Sequence, residues 1–311
     1  MTLIGTFLQA CARHAKWLLV LSLVVGVLFP ETASFVRPWI PQLIAVLLFS
    51  AAVRTDLTRL AGRRELILCT KIVGVHQLLL PLAAVLVISL TGLNGIWAAA
   101  IVLMLAAAPI SGSPNLTILS GGSASSSITI LIISMVFLPL TVVPVFLAYG
   151  GFGSPDIVFV AALRLLALIA GCYLIAILFR RYIYEPKSER SIQIADGTGA
   201  LFMAILVLAL MDAVGPALRE TPLLLLVTLA FACALNFGMQ IASSTALKGM
   251  NDHRTASGIA AGNRNIAIFL AALPVSVTDP LLLFIGCYQV PMYLTPLIMG
   301  PYYRWRNSEN P

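Results

Sequence analysis

Residues 258–268 read GIAAGNRNIAI, an arginine between two asparagines inside a run of Ile, Ala and Gly. No acidic residue stands within eleven positions of Arg264 on either side. A guanidinium is always charged, carries five donors and no acceptor, and bonds most strongly to carboxylates and phosphates. Three roles suit it here. Arg264 can cap the backbone carbonyls of an interrupted helix, stand as a fixed charge where a cation would otherwise bind, or pair with an anionic substrate. Near it, Asn263 and Asn265 offer amides. A second polar stretch, APISGSPNLT, offers Ser113 and Asn115, and HQLLLP offers His76 and Gln77. His76 is a candidate proton carrier; the plainer alternative is a hydrogen-bonded histidine in helix packing. The spans offer one histidine, no deep carboxylate pair and no HExxH motif, so a catalytic set is not expected. The five cysteines (Cys11, Cys69, Cys172, Cys233, Cys287) lie far apart without metal-ligand spacing and read as small buried hydrophobes.

The elements that must position these groups are membrane helices. Of the 311 residues, 60% are hydrophobic and 10% charged, against about 25% charged in a soluble domain. That is too little polar surface to cover a globule. The net charge of +7 does not imply nucleic acid, because the basic residues sit in short loops between apolar runs. The start, MTLIGTFLQACARHAKW, has no small-residue cleavage site after an apolar core, so no signal peptide is expected. Stretches able to cross about 30 Å of hydrocarbon fall near 15–30, 37–53, 66–90, 95–120, 126–148, 157–179, 197–215, 222–243, 255–273 and 280–300.

Ten spans with both termini cytoplasmic satisfy the positive-inside rule. The inside segments then hold Arg13, Lys16, Arg54, Arg59, Arg63, Arg64, Arg180, Arg181, Lys187, Arg190, Lys248, Arg254, Arg304 and Arg306, while the outside loops hold only Arg37 and Arg219. Lys71, Arg164 and Arg264 fall within spans; Lys71 is close enough to the inner face to snorkel, and Arg164 has Asp156 or a headgroup as candidate partners.

Five spans per half require two similar halves, 1–150 and 151–311, to have opposite orientations within one membrane domain. The fourth span carries Pro109, Gly112 and Pro114 before Asn115, and the ninth carries Gly258 and Gly262 before Asn263. Matched interruptions of this kind point to a transporter binding site, since unpaired backbone groups survive in a membrane only where protein, water, ion or substrate satisfies them. Asn236 and Gln240 occupy the counterpart of His76 and Gln77 in the other half. Tyr288, Gln289 and Tyr293 are further cavity or packing candidates, and the serine run SGGSASSS (120–127) is a candidate gating connection.

These residues resemble the bile acid:sodium symporter family. Against its fourth-span signature P-G-G-x-x-S-N this chain reads Pro109-Ile110-Ser111-Gly112-Ser113-Pro114-Asn115, which keeps the motif in part. Against its ninth-span signature E-x-G-x-Q-N the chain reads Ala260-Ala261-Gly262-Asn263-Arg264-Asn265, and Gln77 and Pro81 supply a third-span Gln before a Pro. The resemblance implies an all-α polytopic membrane protein of ten helices in two inverted five-helix repeats, with helices four and nine broken and crossing. It implies that Gln77, Asn115, Asn265 and, with a one-residue gap, Ser127 line the crossover. In the family such oxygens and backbone carbonyls hold two sodium ions with a glutamate. Here Ala260 stands in the place of that glutamate and Arg264 in the place of the glutamine. No other acidic residue replaces it: all are expected in loops or tails except Asp212, near the outer end of span seven.

The expected function is therefore alternating-access transport of a small organic anion, carboxylate or bile-acid-like, with Arg264 replacing a sodium ion or pairing with substrate. The substrate-binding candidates are Arg264, Asn265, Asn263, Asn115, Ser113, His76 and Gln77; the ion-binding positions are Gln77, Asn115, Ser127, Ala260 and Asn265. A conventional sodium-coupled symporter is the alternative, with a non-transporting receptor or an enzyme more remote. No resident cofactor is expected, though sodium or proton coupling stays open. The expected partners are the anion and membrane lipids, in a bacterial inner membrane, with the oligomeric state left open.

Overall fold

The computed structural model describes residues 3–54, 62–183, 188–247 and 250–308. Asp56, Arg59, Glu185, Lys187, Lys248 and Glu309 lie outside them, as does the side chain of Asp252. The elements in chain order are α1 (Leu3–Arg13), α2 (Ala15–Leu28), α3 (Pro30–Val36), α4 (Ile40–Arg54), α5 (Arg63–Gly74), a π-helical turn (Val75–Leu79), α6 (Leu80–Thr91), α7 (Gly95–Ala106), α8 (Ser113–Leu119), α9 (Ala124–Tyr149) and α10 (Pro155–Tyr182). Then come α11 (Glu189–Leu210), α12 (Val214–Glu220), α13 (Pro222–Ala246), α14 (Asn251–Gly262), a 3-10 helix (Ile266–Ala271), α15 (Val275–Thr278) and α16 (Leu282–Ser308). There is no strand among the described residues, and the chain is an all-helical, polytopic membrane protein.

Among the described residues, seven helical segments are long and apolar enough to cross a membrane, and an eighth is added if α1 and α2, bent by 83° at their junction, count as one. Seven of the ten expected spans have a counterpart among these, and the first corresponds to α2 of the bent pair. Spans four and nine have none. The fourth is two short helices, α7 and α8, separated by residues 107–112; the ninth is α14, a break at 263–265, and the 3-10 turn.

The chain forms two compact units: Met1–Asp56 with Leu166–Leu226, and Leu57–Leu165 with Val227–Pro311. Each unit therefore draws on both halves of the sequence, and the boundaries at 165/166 and 226/227 fall inside α10 and α13. In the first unit α11 packs against α1, α2, α3 and α4. Two ion pairs tie it: Arg37 to Asp212 at 2.7 Å, where Ser34 also donates to Asp212, and Arg54 to Asp196 at 2.9 Å. Asp196 is thus a mid-helix carboxylate with a partner, not the loop residue expected.

The second unit holds every candidate site residue. Its central helix is α9, packed against α5, α6, α7, α8 and α14. The close approach of α14 to α13 rests on Gly258 and Gly262, a small-xxx-small pair that lets helices touch. A Cβ at Gly262 would lie 2.3 Å from the Asn236 carbonyl oxygen, and one at Gly258 would lie 2.4 Å from the Tyr303 hydroxyl. These glycines read as helix breakers; both lie within α14, and the interruption begins only after Gly262.

Two basic residues sit otherwise than expected. Arg254, expected in an inner loop, is fully buried in α14 and donates to the Arg306 carbonyl at 2.8 Å. Arg164 is exposed and donates to the Ala272 carbonyl at 3.2 Å, at the end of the ninth segment, a partner the sequence did not suggest.

Candidate functional site

The two interruptions pair with each other. Pro109 and Arg264 form an isolated antiparallel bridge, in which the Ile110 amide donates to the Asn263 carbonyl at 2.9 Å and the Asn265 amide to the Ala108 carbonyl at 2.7 Å. The bonds come from the neighbours of the bridged residues, so a proline, which has no N–H, fits there without loss.

Arg264 completes this accounting. Its Nε donates to the Ala261 carbonyl at 2.9 Å, in the last turn of α14, and its Nη1 to the Ala107 carbonyl at 2.7 Å, which caps α7. The side chain is 1% exposed. The last carbonyls of a helix have no intrahelical donor, and that end carries partial negative charge. A cation placed against two such ends is held by both. Nη2 remains buried without a partner.

The rest of the α14 terminus is clamped by a closed polar network. The Gly262 carbonyl accepts from Asn236 Nδ2 at 2.7 Å and from the Tyr288 hydroxyl. Gln240 Nε2 donates to Asn236 Oδ1 at 2.7 Å and to Thr295 Oγ1 at 3.1 Å; Thr295 donates to Asn263 Oδ1 at 3.0 Å, and Tyr303 donates to Gln240 Oε1 at 3.1 Å. Asn263 Nδ2 bonds the Ile259 carbonyl at 3.2 Å. Asn236, Gln240, Tyr288 and Asn263, read from sequence as cavity candidates, are saturated and hold the break in shape. Gln289 is likewise bound to its own helix, at the Ile285 carbonyl, and Tyr293 to Gln289. Thr295 had no sequence signal beyond lying on the last expected span, and Tyr303 lies just beyond that span. The spacing of Gly258 and Gly262 was the available clue that α13 and α14 meet here.

His76 and Gln77 lie in the π-helical turn, where the Leu80 amide reaches back five residues to Val75. Pro81 explains it: its ring collides with the carbonyl four residues earlier, that of Gln77, and it supplies no N–H to it. His76 Nε2 shares a hydrogen bond with Ser243 Oγ at 3.1 Å, which pairs with Ser257 Oγ at 2.9 Å. Gln77, fully buried, donates to the Ser134 carbonyl at 3.3 Å and keeps Oε1 unpartnered.

The other candidates divide. Ser113 is fully buried with Oγ unpartnered, and Ser127 accepts from Thr117 at 3.1 Å. Asn115 is exposed on α8, and Asn265 is part-exposed and engages through its backbone amide. Ala260 is packed in an apolar cluster with Cys69, Ile72, Val73, Ile130, Ile133 and Ala256. The serine run turns through Gly121 and Gly122 into α9. A Cβ at Gly122 would lie 2.6 Å from Thr255 Cβ, so the turn lies tightly on α14.

One group of ligand-type side chains went unseen in the sequence: Glu65, Cys69 and His253 come together from α5 and α14. Glu65 is therefore not a loop residue but lies in the first turn of α5, where it accepts from Ser126 at 3.1 Å.

The fold and these breaks define a polytopic helical membrane protein built around two paired interruptions. The chain matches no family model and no curated protein sequence.

Proposed function

We propose that the chain is a secondary transporter of small organic anions, working by alternating access at the paired interruptions. In this reading it crosses the membrane ten times in two inverted five-helix repeats, both termini are cytoplasmic, and the paired interruptions lie near mid-depth. The composition of the two units supports such a repeat, since each is assembled from corresponding stretches of both halves.

The observation that carries the proposal is the Arg264 guanidinium. It bridges two helix C-termini, Ala107 and Ala261, with Nη2 left over. A fixed cation in that position offsets the partial charges that a bound metal ion would otherwise offset, and it repels sodium from the same spot. The spare donor, in a buried setting, suits a carboxylate oxygen. No acidic side chain pairs with the guanidinium among the described residues, so substrate supplies the missing negative charge.

A sodium-coupled symporter is the second reading. The buried, unpartnered oxygens Gln77 Oε1 and Ser113 Oγ favour it, because hard cations take oxygen ligands. Uptake of a panel of radiolabelled small carboxylates into proteoliposomes separates the two. Uptake that persists when sodium is replaced by choline supports the first reading, and uptake abolished by that replacement supports the second.

A further inference from the structure

We propose that Glu65, Cys69 and His253 form a binding site for a first-row divalent cation, best suited to zinc, and that it joins the beginnings of α5 and α14. The site is separate from the paired interruptions and does not rest on the transport reading.

The first observation is geometric. Glu65 and Cys69 stand four residues apart on α5 and so share one helix face. His253, near the start of α14, approaches that face, and one ligand atom from each of the three lies within 4.8 Å of the others. In a tetrahedral zinc site, bonds of about 2.0–2.3 Å place neighbouring ligand atoms about 3.3–3.8 Å apart. Small rotations of the Glu and His side chains close that difference, and both are only partly buried.

The second observation is an unsatisfied atom. His253 Nδ1 is buried and has no hydrogen-bond partner. A metal ion bound at that nitrogen would satisfy it. The third is the support behind the ligands. Ser126, from α9, donates to Glu65 Oε1 at 3.1 Å, the outer-shell bond that orients a ligating carboxylate. Cys69 is fully buried against Ile72, Val73, Ile130 and Ala256, an apolar wall with nothing to compete for the sulfur.

The donor set selects the ion. One thiol, one imidazole and one carboxylate suit zinc and its neighbours; calcium and magnesium require oxygens throughout. On binding, the Cys69 thiol gives its proton to solvent and the thiolate sulfur takes the metal, so affinity falls with acidity. Three protein ligands leave a fourth tetrahedral position for water. A bound ion would tie the half-helix that ends at Gly262 to the helix that leads into the His76–Gln77 turn.

The test uses the full-length protein, with any histidine tag removed, stripped by chelator in detergent and titrated with cobalt(II). One equivalent is expected to bind with a thiolate-to-cobalt charge-transfer band, and zinc should displace it. Cys69→Ser should remove that band and weaken zinc binding at least tenfold. Ser126→Ala should keep the band and weaken binding about tenfold, the low end of an outer-shell loss. Should Cys69→Ser fail to give a monodisperse protein, His253→Gln, at a part-exposed position, carries the same expectation of weakened binding. Wild-type protein that binds no cobalt, or binds it without the charge-transfer band, overturns the proposal. So does a folded Cys69→Ser protein that retains the band.

Discussion

A single charged side chain buried in a membrane protein needs an account of every donor it carries. For Arg264 that account is two helix-terminal carbonyls and one spare nitrogen. Arg264→Gln leaves at least one of those carbonyls unsatisfied, at a cost of about 1–3 kcal/mol for the orphaned group. A lower thermal unfolding midpoint in detergent is the expected result. Arg264→Lys keeps the charge but loses the planar fork that reaches both helix ends, so it should fall between wild type and Gln in the same assay. Asn236→Leu removes a donor from Gly262 and an acceptor from Gln240; its destabilisation should also be about 1–3 kcal/mol, read as a fall in the unfolding midpoint. From the sequence, capping was one of three roles open to Arg264, beside replacing a cation and pairing with an anion. The sequence did not separate the saturated amides Asn236 and Gln240 from the open one of Gln77. Their hydrogen bonds depend on how α13, α14 and α16 meet, and residue type carries no information on that.

The interruptions themselves were legible, since Pro109, Pro114 and the Gly–Asn–Arg–Asn stretch break helical periodicity. Their pairing through Pro109 and Arg264 was not, because a register between segments far apart in the chain is set by the packing of whole helices. The glycines were misread for a related reason: Gly258 and Gly262 mark a face that touches another helix, and the sequence does not display that contact. Gly262→Ala should push α14 off Asn236 and Gln240, giving poor yield or a much lower unfolding midpoint. Gly74→Ala, with nothing within 4 Å of its Cβ, should be neutral or slightly stabilising, by up to about 1 kcal/mol of helix propensity.

Over the whole molecule, composition alone fixed the membrane class, while the division into two units that each borrow from both halves has no local signature at all. The orientation in the proposal gives a direct expectation. In intact cells an impermeant maleimide should label Ser154→Cys, in the exposed turn between α9 and α10, and should not label Ser308→Cys at the end of α16. The opposite pattern would reverse the topology. The central claim is that a fixed guanidinium stands where a transported anion meets its counter-charge. The decisive measurement is carboxylate uptake by wild-type and Arg264→Gln proteoliposomes in sodium-free buffer, on preparations matched for folded protein. The account predicts uptake by the wild type and at least a tenfold loss in the variant. Equal uptake by the two proteins, or uptake by the wild type only when sodium is present, would contradict it.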